Sequence, residues 1–190
     1  MTFPLTFKTW FKLDITPEWL LTSYASTGDN SYLLKLVEQF NLPIYHYLLT
    51  QSDHHLAEDV LQTVWLKVID TQVKLKKHSN VKSWLFTIAR NTLIDELRRQ
   101  QRWQWQTFDD QVLYYEDKSN EHQKDRLAAF NDALLTLNFH QREAIIFQQE
   151  GFSVEEISHL TGDNFETIKS RLRYARHNLK NLIGQKNERR

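Results

Sequence analysis

The sequence contains no cysteine, and among its 190 residues there are only four glycines and three prolines. Without cysteine there can be no disulfide framework, no thiol nucleophile and no cysteine-ligated zinc. An all-β fold needs a turn residue roughly every 8–12 positions, which so little glycine and proline does not supply. The composition therefore predicts an all-α fold.

Long hydrophobic runs are also missing. No apolar stretch approaches the roughly 18 residues of a membrane span, and Lys8 and Lys12 interrupt the apolar beginning of the chain, unlike a signal peptide. Hydrophobic residues make up 41% and charged residues 25% of the sequence, as in ordinary globular proteins. We expect a cytoplasmic protein with no direct membrane insertion.

Signatures of catalysis are absent from the sequence as well. It has no H-E-x-x-H, no P-loop, no glycine-rich phosphate cradle and no G-x-S-x-G. His54 and His55 are adjacent and point apart on a helix, unlike metal ligands spaced four residues apart. We therefore predict a binding protein and not an enzyme, with no catalytic residues, no metal site and no cofactor.

The charges cancel overall but are unevenly distributed. Residues 74–102 carry eight basic and two acidic side chains, and residues 164–190 repeat that balance, while the rest of the chain is acidic. Such a pattern fits a polyanion bound at two places, although two solvated helix faces would look the same. Residues 103–121 are acidic and lack a sustained helical period. The predicted organisation is an N-terminal extension (1–16), a helical domain (17–102), a linker (103–121) and a second helical domain (122–190).

Two amphipathic helices are predicted in the first domain. The first, from His55 to Asp70, has a core face and an opposite face, and that second face includes the apolar residues Leu66 and Ile69. Either a neighbouring helix covers this face or a partner protein binds it.

The second helix, Val81 to Arg102, surrounds a core stripe with rings, cations and an amide: Lys82, Trp84, Phe86, Arg90, Asn91 and Arg98. Rings and cations interleaved in this way grip single-stranded nucleic acid, unless Trp84 and Phe86 simply belong to the core.

The second domain has the pattern helix, tight turn, helix. Ser153 and Glu156 form a capping box, Gly162 allows the turn, and Asp163 with Glu166 marks a second helix start. The last helix is predicted to bury six apolar residues: Phe165, Ile168, Leu172, Ala175, Leu179 and Leu182. A preceding helix at about 125–149 supplies further core. This arrangement indicates a DNA-binding helix-turn-helix, the alternative being a helical hairpin in a scaffold protein.

Three blocks of the chain, residues 57–68, 83–99 and 152–179, resemble sigma-70-family sigma factors of the small, two-domain extracytoplasmic-function type. The resemblance implies a region 2-like bundle and a region 4-like helix-turn-helix. It implies that the first domain binds the clamp helices of the largest subunit of the RNA polymerase core and the −10 promoter element. It also implies that the second domain binds the −35 element and that an anti-sigma factor is a further partner.

The site residues that follow fall into three groups. The candidates for binding polymerase core are Asp59, Gln62, Leu66 and Ile69. The −10 candidates are Leu75, Lys76, Lys82, Trp84, Phe86, Arg90, Asn91 and Arg98, with Asn91 where related factors recognise a flipped base. The −35 candidates are Thr167, Lys169, Ser170, Arg171, Arg173, Tyr174 and Arg176.

Three features depart from the family pattern. Asn138-Phe139 replaces the usual Leu-Pro, Tyr174 stands where many members have Arg, and the aromatic extension 1–16 has no counterpart. The extension either packs on the first domain or contacts a regulator. A different class also fits the helix-turn-helix: a regulator that binds duplex DNA without joining polymerase, with residues 1–102 as a dimerisation or sensor domain.

Overall fold

The computed structural model describes residues 15–70, 80–104 and 133–188, and the regular structure of these residues is helical. The helices are α1 (Pro17–Thr27), α2 (Asn30–Gln51), α3 (His54–Asp70), α4 (Val81–Gln104), α5 (Phe139–Gln149), α6 (Val154–Thr161) and α7 (Phe165–Glu188). The all-α prediction is confirmed. Leu75, Lys76, nearly all of the N-terminal extension and most of the predicted linker lie outside the described residues. No helix in the described ranges combines the length and apolar character needed to cross a membrane.

Short polar side chains fix where the helices of the first domain begin. Thr16, Asp29, Asp53 and Asn80 each accept a hydrogen bond from a backbone N–H two or three residues further on, at 2.8–3.2 Å. Each bond satisfies one of the backbone donors that a helix start leaves unpaired. The predicted start of α3 after Ser52 and Asp53 is thereby confirmed, one residue earlier than expected.

Helices α1 to α4 pack around the predicted apolar stripes. Val60, Val64 and Val68 of α3 are buried, and so are Leu85 and Leu93 of α4. Each such side chain contributes about 1.5–3 kcal/mol relative to leaving it exposed. The core leaves the opposite face of α3 and one side of α4 open, and these are the surfaces on which candidate residues lie.

One helix of the second domain differs from its prediction. The expected continuous helix at 125–149 is wrong, because the chain breaks at residues 136–138 and α5 begins only at Phe139. Asn138 caps the new helix, since its Oδ1 accepts the N–H of Gln141 at 2.9 Å. Leu134, before the break, and Leu137, within it, are both buried. The apolar period continues across a cap residue, which explains why periodicity alone joined the two segments.

The helix-turn-helix forms as predicted at α6 and at the turn. The N–H of Glu156 donates to Ser153 Oγ at 3.2 Å, and the N–H of Ser153 donates to Glu156 Oε2 at 2.8 Å. Gly162 ends α6 with φ of 74°, in the left-handed region. Two expectations for α7 are wrong: Asn164, not Asp163, accepts the first-turn N–H, and Phe165 is 38% exposed.

The two halves of the chain pack against each other. Helix α5 contacts α2, and α6 contacts α4, with one continuous hydrophobic cluster between them. Four rings form its centre: Tyr47 stacks on Phe147 at 4.8 Å between ring centroids, and Phe86 meets Phe152 edge-on at 5.2 Å. We call this packing of α5 and α6 on α2 and α4 the closed arrangement.

Candidate nucleic-acid interface

The −10 candidates on α4 divide into two rows. Trp84, Asn91 and Arg98 follow one another at intervals of seven residues, which places them along one side of the helix. Asn91 and Arg98 are exposed there, while the Trp84 ring is half-buried against the core. We call these three residues the open row. The Trp84 ring is partly buried against the core, as the core interpretation predicts, and its stacking on bases stays a prediction.

The second row, Lys82, Phe86 and Arg90, is covered by the second domain. Phe86 is fully buried and Arg90 is only 9% exposed, which corrects the expectation that both stand outside the core stripe. Arg90 donates to both oxygens of Glu143, from Nε at 2.9 Å and from Nη2 at 3.3 Å. In the closed arrangement the structure therefore brings this row together with carboxylates of the second domain. We call these three residues the covered row.

Glu143 is the centre of a buried polar triad. Its side chain is completely inaccessible, and besides Arg90 it accepts the Tyr47 hydroxyl at 2.9 Å. Burial, reinforced by the negative charge of Glu143, raises the pKa of Tyr47 well above its ordinary value. The tyrosine therefore stays a hydrogen-bond donor, and the carboxylate is satisfied by a cation and a hydroxyl.

The core-binding candidates on α3 are all exposed. Leu66 is 54% and Ile69 is 41% exposed, and Asp59 and Gln62 lie on the same face. No described helix covers them, so the interpretation of this face as buried by a neighbouring helix is wrong for the described part of the chain. An exposed apolar strip with flanking polar groups is the usual composition of a protein-binding surface.

The −35 candidates on α7 differ in how freely they can reach a ligand. Lys169 is exposed; it pairs with the exposed Glu166 at 3.1 Å, and its Nζ lies 5.3 Å from the centroid of the Phe165 ring. Arg173 lies over the ring of Tyr174, which is 52% exposed. Thr167 and Ser170 are half-buried on the same helix. These residues present donors, acceptors and one ring along the first turns of α7.

Two arginines of this set are held by neighbouring side chains. Arg171 makes a two-pronged ion pair with Asp163, with Nη2 and Oδ1 3.0 Å apart. The hydrogen bond from Arg171 lowers the pKa of Asp163, so the carboxylate is charged at neutral pH. Arg176 donates to Gln148 Oε1 at 2.6 Å. Arg171 must give up a strong pair to contact DNA, whereas Lys169 need not.

Sequence reasoning missed the contribution of α5 to this surface. Asn138, His140 and Gln141 line the same shallow depression as Thr167 and Tyr174. The only available signal was the break before Phe139, which exposes the first turn of α5 beside that of α7. No group of side chains suited to holding a metal ion occurs in the residues that the structure describes.

Comparison with known proteins identifies the family. The Sigma-70 region 2 family matches residues 36–103, which begin within α2 and end one residue before the end of α4. The extracytoplasmic-function (ECF) RNA polymerase sigma factor EcfG of Rhodopseudomonas palustris is 34% identical over 131 residues, covering 67% of this chain and 71% of that protein. The chain belongs to the ECF sigma factors of the sigma-70 family. SigV, an RNA polymerase sigma factor of Bacillus subtilis, is 31% identical over 130 residues, covering 67% of this chain and 74% of the SigV chain.

Solved structures agree with this sigma factor fold. The sigma factor RpoE of Bartonella quintana, solved with the anti-sigma factor NepR, superposes with a TM-score of 0.69 at 30% identity, covering 80% of this chain and 96% of that one. CnrH, solved with the cytosolic domain of CnrY, has a TM-score of 0.65 at 18% identity and covers 90% and 99%, which shows the same fold. The sigma factor interpretation of the sequence is confirmed, and a regulator acting without polymerase is not favoured.

Proposed function

We propose that this sigma factor docks on the clamp helices of the polymerase core through the outer face of α3. The observation that carries the proposal is the exposure of Leu66 and Ile69 beside Asp59 and Gln62. Burying these exposed leucine and isoleucine side chains in a groove of the partner would contribute roughly 25 cal/mol of binding free energy for each Å² of apolar surface removed from water.

The open row of α4 is the proposed contact with the melted −10 strand. Asn91 offers an amide that can pair with a base edge, Trp84 offers part of a ring for stacking, and Arg98 offers a cation for phosphate. Single-stranded bases expose the edges and faces that these groups bind. Binding of a flipped base beside Asn91 would offset the few kcal/mol that unstacking a base costs.

The proposed −35 contact is the amino-terminal half of α7 in the major groove. Lys169 is the strongest candidate for a base edge or phosphate, because its exposed pair with Glu166 costs little to break. Thr167, Ser170, Arg173, Tyr174 and Arg176 extend the same surface. Arg171 contributes there only by leaving Asp163.

We place the protein in the cytoplasm, where bacterial polymerase and promoters are found, and we include an anti-sigma factor among its partners. The second statement is supported by RpoE of Bartonella quintana, which was solved with an anti-sigma factor. That likeness covers 80% of this chain.

The test is reconstitution with bacterial core polymerase, using one matched pair of substitutions. Leu66→Ser on α3 removes an apolar side chain that is 54% exposed, and Leu42→Ser on α2 removes one that is 58% exposed. We expect Leu66→Ser to lose co-elution with core and start-site selection in run-off transcription, and Leu42→Ser to retain both. Failure of the wild-type protein to co-elute or to select start sites would refute the proposal.

A further inference from the structure

The outward face of α7 carries one large apolar group among polar ones, the ring of Tyr174. Thr167 and Ser170 precede it by seven and four residues, so the three side chains form one row along the helix. All three line the shallow depression beside the first turn of α5. Thr167 and Ser170 are half-buried and the ring is exposed. The row therefore offers two hydroxyl groups for hydrogen bonds and one ring for an apolar contact.

A neighbouring cation holds this ring. The guanidinium of Arg173 lies over the Tyr174 ring, with Cζ 5.1 Å from the ring centroid. A cation over the face of a ring is attracted by the negative charge of that face. The contact restricts the orientation of the ring before any ligand arrives, so less side-chain freedom is lost when the exposed part of the ring is covered.

The major groove of DNA offers one apolar group at the base edges, the C5-methyl group of thymine. Its other groups are hydrogen-bond donors and acceptors, which suit hydroxyl and ammonium side chains such as those of Ser170 and Lys169. Phosphate oxygens are charged and suit a guanidinium such as that of Arg173. An exposed ring at this place on α7 matches the thymine methyl group better than it matches any of these polar groups.

Resting on the proposed −35 function, we propose that Tyr174 is a specificity-determining residue whose ring contacts the methyl group of one thymine in the −35 element. The contact selects a T·A pair at that position, because cytosine, guanine and adenine have no methyl group there. Arg173 is the positioning residue, since it holds the ring.

The experiment replaces single thymines of a promoter by uracil, which removes the methyl group and leaves base pairing unchanged. The promoter is one that the wild-type holoenzyme, reconstituted from full chain and bacterial core, uses in run-off transcription. Each −35 thymine of either strand is replaced in turn, and the affinity of the holoenzyme is measured by competition with the unmodified duplex. The readout is the ratio of the two affinities at each position.

Three variants separate the ring from its surroundings. Tyr174→Ser removes the ring and keeps a hydroxyl group, while Tyr174→Phe removes only the hydroxyl group. Phe165→Ser is the matched control, because Phe165 is the other exposed ring on α7 and also has a cation over it, Lys169 at 5.3 Å. It lies nine residues before Tyr174, which places it on the opposite side of the helix.

We expect uracil at one −35 position to weaken binding by the wild type about fourfold, the effect of leaving one methyl-sized group unburied. Tyr174→Ser should bind the thymine and uracil duplexes equally at that position. Tyr174→Phe and Phe165→Ser should both keep the fourfold difference, whatever their overall affinity.

The inference is overturned if uracil has no effect on the wild type at any −35 position, or if Tyr174→Ser keeps the full effect. Loss of the effect in Tyr174→Phe would assign the contact to the hydroxyl group and would also overturn it. A scrambled −35 element tests the proposed function separately. If scrambling weakens wild-type binding and uracil does not, the −35 function stands and the thymine contact is refuted; if scrambling has no effect, both fail.

Discussion

Replacing Gly162 by alanine should destabilise the protein through backbone strain alone. This glycine has φ of 74°, and a Cβ added to it would meet no atom within 4 Å, so no steric clash adds to the cost. Holding an L-residue in the left-handed region costs roughly 1–2 kcal/mol. Alanine also lowers the conformational entropy of the unfolded chain, which offsets about 0.4–1 kcal/mol of this cost. The expected net loss is about 1 kcal/mol, or roughly a fivefold fall in the ratio of folded to unfolded protein.

The assay is urea unfolding followed by helical circular dichroism, with two comparison variants. Gly162→Asn should lose about half as much, because asparagine tolerates the left-handed region better. Gly151→Ala should lose about as much as Gly162→Ala, since φ there is 86° and its Cβ is equally unobstructed. Only the change at Gly162 should also weaken duplex binding, because it alone sets the turn between α6 and α7. A stable Gly162→Ala variant would show that the turn does not depend on a positive φ.

Three further predictions concern single side chains. Asn91→Ala should weaken binding of the −10 strand by the holoenzyme about 5- to 150-fold, which corresponds to the 1–3 kcal/mol of a base contact. The control, Asp95→Asn on the same exposed side, should leave this binding unchanged. Equal wild-type activity on promoters with and without an intact −10 element would contradict the prediction. Lys169→Ala should weaken −35 duplex binding by about 1–3 kcal/mol in a holoenzyme titration, and unchanged affinity would remove it from the interface. Arg171→Ala should return the lowered pKa of Asp163 toward 3.8. In the wild type the Asp163 carboxylate stabilises the fold fully above pH 3.8, and this stabilisation is lost as the pH falls through the lowered pKa. The unfolding free energy of the variant should therefore rise less steeply with pH in that acidic range. An unchanged slope would argue against the ion pair.

The sequence predicted those features that depend on near neighbours in the chain. The capping box of Ser153 and Glu156, the turn at Gly162 and the exposed face of α3 all follow from spacings of three to four residues, and the structure has each of them. The choice of Asp163 as a cap failed, because Asn164 offers the same chemistry one residue later and Arg171 binds the aspartate instead.

Long-range contacts could not be predicted in this way. Periodicity carries no information about a surface more than 50 residues further along the chain, so it could not show that Glu143 and Phe147 cover Arg90 and Phe86. Glu143 is similar: an isolated glutamate on a helix is normally solvated, and only the packing of α5 on α2 and α4 buries it. The DNA-binding assignments themselves stay predictions until the holoenzyme is tested.

The division of α4 into two rows has a consequence for ionic strength. In the closed arrangement Arg98 of the open row is exposed, whereas Lys82 and Arg90 of the covered row are paired with Glu150 and Glu143. Each phosphate neutralised on a single strand steepens the fall of log affinity with log salt by about 0.7. If a single strand replaces Glu150 and Glu143 on Lys82 and Arg90, two more cations take part, and its affinity should become more sensitive to potassium chloride. A shallow salt dependence would indicate that a strand contacts the open row alone, and a steep one that it contacts both rows.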